Sequence, residues 1–325
     1  MPGFTTHYIF GMKAYNDMPF TPLKHTIAKY RWLYQLGLQG PDMFFYNIPI
    51  LRHRDYRNVG SYMHEHKVNA FFECCLRRIG TIRSRQQQEE AISYLAGFIN
   101  HYIADSICHP YVYGRIGYPV EAPTSMHHGM HAHLENELDA ILLWKYKKKK
   151  PSEFNQTATI CLNGQEIQFI SHFLASCINE TYYPITYRNN FQVTPAMVHR
   201  SIWALRFGCR TLSDKNGKKK FGIAQVESIF VNHPVASAKM VTDSVTDYRS
   251  SCNLNHEAWG NPWDPTRVST ASFVDLFHET LDKCSRVYAL LNSAVTDNMP
   301  LDKQDLSPLL AELGNESYHS GLPVE

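Results

Sequence analysis

The sequence predicts an all-α protein, a multi-helix bundle with one minor β-hairpin near residues 159–168. Three observations carry this expectation. Apolar residues recur at three- and four-residue spacing through most of the first 145 positions, with Gly and Pro between the runs. The same spacing returns at about 169–181, 195–212, 233–248 and 270–295. The strong hairpin signal is Asn163-Gly164, flanked by Thr159-Ile160-Cys161-Leu162 and Gln165-Glu166-Ile167-Gln168.

Taken in order, Thr21-Pro22 offers an N-cap and a first-turn proline, Leu23, Ile27, Tyr30 and Tyr34 follow at helical spacing, and Gly37 and Gly40 close that segment. A second amphipathic helix is expected from about Gly60 to Ile82, with Val68, Phe71, Phe72, Cys75, Leu76 and Ile79 on its apolar face. A third spans roughly Gln86 to Tyr111 and a fourth about Met126 to Tyr146. After Met299 the chain carries Pro, Gly, Ser and Glu without periodicity. The expected organisation is therefore one helical domain over 1–298 and a loosely ordered tail over 299–325.

A chain of 325 residues can bury a sizeable core, and 44% hydrophobic with 19% charged residues is ordinary for a globular protein. The formal charge of +2 gives no global field that would mark nucleic acid or a membrane as the partner. No segment is apolar enough to span a bilayer, and Met1 to His7 has no secretory pattern, so the expected location is cytoplasmic. The eight cysteines are scattered without a C-x-x-C pair and read as reduced, mostly buried thiols.

Histidine is the informative count. Of 17 in the chain, 11 fall before residue 136. In His101-Tyr102-Ile103-Ala104-Asp105-Ser106-Ile107-Cys108-His109, a four-residue step advances ~400° around a helix, so His101, Asp105 and His109 form one stripe. Tyr94, Phe98 and Tyr102 lie along the same face, which points two imidazoles and a carboxylate into the core; a cation would compensate that carboxylate. A second stripe pairs His131 with Glu135, whose side Leu138 and Leu142 mark as inward, although His133 and Glu137 share the spacing. His64 stands four before Val68 on the apolar face, while His66 lies about two hundred degrees from Val68 at ~100° per residue, so His64 is the better ligand candidate. Asp42 in Gly40-Pro41-Asp42 and His7 are uninformative alone.

Other metal hydrolase patterns are absent. There is no His-Asp dipeptide and no His-Glu-x-x-His, and the lone Glu-x-x-His runs from Glu316 to His319 where a di-iron bundle needs two. The aromatic, polar stretch Asn255 to Pro265 could wall a substrate pocket or simply pack as a loop, and Met43 to Tyr46 could line a metal site or sit in the core. Trp144-Lys145-Tyr146 with Lys147 to Lys150 would suit a lipid headgroup or nucleic-acid backbone, though this run and Lys218 to Lys220 read first as solvated loops.

Together, Thr6-His7-Tyr8, Gly40-Pro41-Asp42, Met63-His64, His101-x-x-x-Asp105-x-x-x-His109 and His131-x-x-x-Glu135-Asn136 resemble the zinc-dependent phospholipase C family and, more distantly, the single-strand-specific zinc nucleases. The resemblance covers roughly residues 1–145. It implies an all-helical fold holding Zn2+, two or three ions. Asp42, His64, His101 and Asp105 would hold one zinc, His109, His131 and Glu135 a second, and Asp105 would bridge to a third held by His7. Two departures accompany it. The family usually completes the third site with the amine and carbonyl of a mature N-terminal tryptophan, whereas no tryptophan precedes His7, leaving the amine of Pro2 as a substitute once Met1 is removed. The step from Asp105 to His109 is four residues, where the family more often has a slightly longer one.

Such a donor set leaves a net positive site that draws in an anionic phosphodiester, and zinc ions ~3.5–4 Å apart stabilise attacking and leaving oxygens. The expected function is a zinc-dependent phosphodiester hydrolase, phospholipase C-like, attacking phosphorus with a zinc-bound hydroxide, with Asp42 as ligand and candidate general base. A phospholipid or other phosphodiester is the expected substrate, with transient membrane-surface contact and no transmembrane segment. The alternatives are a single-strand nuclease-like phosphodiesterase, with nucleic acid as the less favoured partner, and a non-catalytic zinc-binding protein of the same fold.

Overall fold

The computed structural model describes residues 3–46, 58–182, 192–230, 237–245 and 247–325. The amine of Pro2, expected to complete a third metal site, lies outside the described residues, as do positions 233–236 and 246 of the helix expected at 233–248. Its described part is a short 3-10 turn, Ser237–Lys239, and the start of a one-turn helix, so a continuous helix is not formed there.

The fold is all-α. The helices are α1 (Phe4–Asp17), α2 (Pro22–Lys29), α3 (Arg31–Gly37), α4 (Val59–Glu65), α5 (Val68–Thr81), α6 (Arg85–Arg115), α7 (Ser125–Lys147), α8 (Gly164–Thr181), α9 (Pro195–Leu212), α10 (Lys218–Phe230), α11 (Tyr248–Ser251), α12 (Phe273–Thr296) and α13 (Ser307–Leu313). Lys218 to Lys220 thus open a helix rather than a loop. Among the described residues, the sheet is one antiparallel hairpin of β1 (Trp259–Asn261) and β2 (Asp264–Ser269), with Trp259 opposite Ser269.

The hairpin expected at 159–168 is not there. Gln156–Thr159 is a 3-10 turn and Asn163 is the N-cap of α8. The Asn163 side chain accepts from Glu166 N at 2.9 Å, and the Glu166 carboxylate accepts from Asn163 N at 2.8 Å. Asn-x-x-Glu before the apolar residues Ile170, Phe173 and Leu174 is a helix-start signature. That reciprocal pair prevailed over the turn preference of Asn-Gly.

The long helix α6 is the axis of the core, buried along most of its 31 residues. Helices α1, α2, α3 and α12 pack around it. The approach of α3 is unusually close, because a Cβ on Gly37 would lie 2.1 Å from Tyr94 O and one on Gly97 would lie 2.1 Å from Tyr34 O. Two of the expected helices are divided in two. The first breaks at Tyr30 (φ −114°, ψ 42°), and the second at Lys67, which takes the left-handed φ of 48°.

The residues after Met299 are not a loose tail. Leu301, Leu306, Leu309, Leu313 and Tyr318 are buried, joining the apolar cluster around α5 and α6. Tyr102 Oη donates to Glu316 at 2.6 Å, and Glu316 N donates back to that hydroxyl at 2.9 Å. Sparse apolar residues without periodicity bury well here because they fill gaps between helices already in place. The cysteines among the described residues are free thiols, mostly buried, as expected. No helix among the described residues is long and apolar enough to cross a membrane.

The start of α1 is held from α7. Asp139, fully buried, accepts from Thr5 N at 3.2 Å and Thr6 N at 2.7 Å, meeting two of the backbone donors that a helix leaves unpaired at its first turn. Burial, opposed by the Thr6 and Thr5 bonds, still pushes the Asp139 carboxyl up from 3.8 to about 6. The folded state therefore holds this proton more tightly than the unfolded chain, and the group's contribution to stability declines as pH rises from 3.8 through about 6. Asp139→Ala is expected to cost about 1–2 kcal/mol, the scale of a lost N-cap. Urea midpoints of the two proteins at pH 7 and at pH 4.5 measure it; coincident midpoints at both values would remove Asp139 as the anchor of α1.

Candidate metal centre

Four side chains converge from separate elements. Asp42 sits in the 3-10 turn Gly40–Tyr46, His64 on α4, and His101 and Asp105 on successive turns of α6. Their donor atoms lie within 4.8 Å of one another, and all four residues are buried. Nε2 of His64 lies 3.3 Å from Asp42 Oδ1 and 3.7 Å from Asp105 Oδ2, and Nε2 of His101 lies 3.2 Å from Asp105 Oδ2. Gly40 makes this convergence possible. It takes a φ of 45°, and a Cβ there would lie 2.3 Å from Cδ2 of His101, so any side chain would displace that ring.

One turn further along α6, His109 meets His131 and Glu135 of α7 in a second buried set within the same 4.8 Å limit. Nε2 of His131 stands 2.6 Å from Glu135 Oε1, and Nε2 of His109 stands 3.5 Å from it. The competing pair, His133 and Glu137, faces elsewhere: the His133 side chain is 47% exposed and Glu137 accepts from Ser251 Oγ. His7 on α1 reaches Asp105 from the other side, with Nε2 at 3.1 Å from Oδ1, and its ring stacks on His101 at 4.0 Å. Asp105 therefore stands between His7 and the His64–His101 set, with one oxygen toward each.

The orientation of the rings favours cation binding. Nδ1–H of His64 donates to Gly60 O at 2.6 Å, that of His101 to Leu38 O at 3.1 Å, and that of His109 to Tyr318 O at 2.8 Å. Each bond fixes the tautomer and leaves Nε2 with its lone pair aimed at the carboxylates. Those Nε2 atoms, Asp42 Oδ1 and both Asp105 oxygens are buried without a hydrogen-bond partner among the described residues. Buried polar atoms left unpaired are rare and costly, and a run of them all of ligand type fits a divalent cation.

The protonation pattern agrees. Burial pushes His109 down to about 4 and holds His7 and His131 below the usual imidazole range, leaving the neutral form that binds metal. Burial also pulls on His101, but Asp105 and Asp42 outweigh it and raise its pKa. Burial works against ionisation of Asp105 too, yet His109, His101 and His7 keep its pKa well below the ordinary carboxylate range.

Around the sets, Phe45 packs on His64 at 5.5 Å, while Met43 and Phe44 belong to the core. Tyr113 lies 4.5 Å from His131 and 5.6 Å from His109, and Trp263 of the hairpin packs edge-on against Tyr113 at 4.9 Å. The stretch 255–265 thus walls the second set through one intervening tyrosine. His66 caps α4, half-buried against Tyr62 at 4.3 Å, outside both sets. His64→Ala is accordingly expected to lower bound zinc by about one ion per chain and His66→Ala to leave it unchanged, as elemental analysis of the purified variants would read. The opposite ranking would place the centre elsewhere.

One residue at the centre is not marked by sequence reasoning. His319 comes in from the C-terminal segment and stacks on His64 with centroids 4.8 Å apart and planes 15° apart. Burial, and then the neighbouring His64 and His109, hold its pKa well below 6.5. Its sequence neighbours, Ser317-Tyr318-His319-Ser320, show no period, and no spacing links it to residues two hundred positions upstream.

No curated protein and no solved structure is significantly similar to the chain. A family model described as zinc-dependent phospholipase C matches residues 6–186, more than half of the chain and the span that holds His7, Asp42, His64, His101, Asp105, His109, His131 and Glu135. With seven of these residues brought to two adjoining buried sets and His7 against Asp105, the chain belongs to the zinc-dependent phospholipase C family.

Proposed function

We propose that this protein is a zinc-dependent phosphodiester hydrolase of phospholipase C type, with Asp42, His64, His101 and Asp105 holding one ion, His109, His131 and Glu135 a second, and His7 with Asp105 contributing to a third. The observation that supports this most is the pair of buried donor sets that meet along α6, with Asp105 between His7 and the first set. Zinc bound there would supply Lewis acidity toward phosphoryl oxygens and lower the pKa of a coordinated water to about 7.

The chain's own residues supply the rest. Imidazoles outnumber carboxylates in these sets, so the loaded site keeps positive charge for an anionic phosphodiester. Asp42, whose Oδ1 lacks a hydrogen-bond partner among the described residues and lies close to His64, would be the group to accept a proton from an attacking water. Tyr113 and Trp263 wall the second set with aromatic surface, which limits water there and strengthens electrostatic contacts.

The test is an assay of zinc-loaded protein on bis-(p-nitrophenyl) phosphate and on a soluble short-chain phosphatidylcholine, with single-stranded DNA in parallel at two salt concentrations. Release of phosphocholine supports the phospholipase C reading. Salt-sensitive DNA cleavage without phosphocholine release would support the nuclease-like alternative. Bound zinc with neither activity would leave a zinc-binding protein that does not turn over.

A further inference from the structure

The C-terminal segment lies outside the family match at 6–186, yet it ties the two donor sets together. Tyr318 N donates to His64 O at 2.9 Å, and Tyr318 O accepts from His109 Nδ1 at 2.8 Å. A single residue of this segment thus touches a ligand candidate of each set. The next residue, His319, follows the same path: its ring stacks on His64 and lies 5.7 Å from His109. His7, His64, His101 and His109 are fully enclosed, whereas His319 is only half-buried.

We infer that His319 contacts the substrate phosphate, its Nε2–H donating to a non-bridging oxygen of a phosphate or phosphodiester seated at the two donor sets. Three observations carry this. First, Tyr113 Oη and His319 Nδ1 form a hydrogen bond at 3.1 Å, the one bond of that hydroxyl among the described residues. A buried phenol that only accepted would leave its own proton unpaired. The hydroxyl therefore donates to Nδ1, and the ring carries its hydrogen on Nε2. A second proton would go to Nδ1 and leave the Nε2–H in place, so the donor exists in either charge state.

Second, an Nε2–H has no lone pair for a metal, and His319 belongs to neither donor set, so its place at the centre is not that of a ligand. Third, among the described residues no group pairs with Nε2. A hydrogen-bond donor that is half-buried, held by Tyr113 and stacked on His64 is preorganised for an anion that the cations attract. The inference rests on the phosphodiesterase reading above for the identity of the anion.

The experiment is calorimetric titration of inorganic phosphate into zinc-loaded wild type, His319→Ala, His319→Phe, His319→Gln and Tyr113→Phe, with zinc content measured on each. His319→Ala and His319→Phe are expected to weaken phosphate binding by about ten- to a hundredfold, the scale of one hydrogen bond to a charged group, at unchanged zinc content. His319→Gln, which restores an N–H donor, recovers part of the affinity. Tyr113→Phe weakens binding by less, because it frees the tautomer without removing the ring. Wild-type affinity in His319→Phe would overturn the inference, as would loss of zinc in that variant or failure of the wild type to bind phosphate. His319→Phe keeps the stack on His64, so it decides the matter if His319→Ala does not fold. Phosphate binding that depends on His319, in a protein that hydrolyses no phosphodiester, would defeat the phosphodiesterase reading and leave this contact standing.

Discussion

Asp105→Asn is expected to reduce phosphodiester hydrolysis by at least about a thousandfold, the loss seen when a principal electrostatic element of an active site is removed, and to lower bound zinc at more than one site. Asp105 is the carboxylate on which the centre turns. Its Oδ1 faces His7 at 3.1 Å, its Oδ2 faces His101 at 3.2 Å and His64 at 3.7 Å, and both oxygens are fully buried without a hydrogen-bond partner among the described residues. Asparagine keeps the size and loses the charge, so the backbone of α6 has no steric reason to move. Elemental analysis with a bis-(p-nitrophenyl) phosphate assay measures both effects, and a variant with full zinc and full rate would rule out the bridging role.

Removal of metal is the second large effect. Without cations the core retains Asp42, Asp105 and Glu135 together with a group of imidazoles, all buried. The protons available offset this only in part: the pull of Asp105 and Asp42 raises the pKa of His101, while burial keeps His109 down at about 4. An ion that binds only the folded chain adds about 4 kcal/mol at a thousand times its dissociation constant, and two such sites add about twice that. Dialysis against a chelator is therefore expected to lower the unfolding midpoint by tens of degrees at about 2–4 °C per kcal/mol, with near-complete recovery on adding zinc. Acidification acts in the same direction, because protons compete for the imidazole lone pairs as pH falls. An unchanged midpoint in excess chelator would mean that these residues satisfy one another without a cation.

His64 joins its donor set by a route that helical periodicity does not describe. The sequence argument placed it on the face of one helix running through Val68. The chain in fact breaks at His66 and Lys67, so positions 64 and 68 belong to different helices. His64 is buried because Nδ1 is held by Gly60 O and Nε2 is drawn to Asp42, contacts that no periodicity describes. The misplaced hairpin has a related cause. Asn163-Gly164 satisfies a turn signal and a capping signal at once, and Glu166 decides between them only when the apolar face of α8 has something to pack on. Likewise Gly37 and Gly97 are ordinary punctuation in the sequence, and their shared close crossing exists only once α3 lies on α6.

The amino-acid order alone determined the all-α class, the His-Asp-His stripe of α6 and the inward choice of His131 over His133, because each depends on residues three or four apart whose relative direction a helix fixes locally. Tertiary packing alone decided that Asp105 reaches His7 across the core, that the last residues fold back against both donor sets, and that His319 arrives beside His64 from some 250 positions away. A contact of that kind is set by which surfaces the helices bury against each other, and no local spacing encodes it.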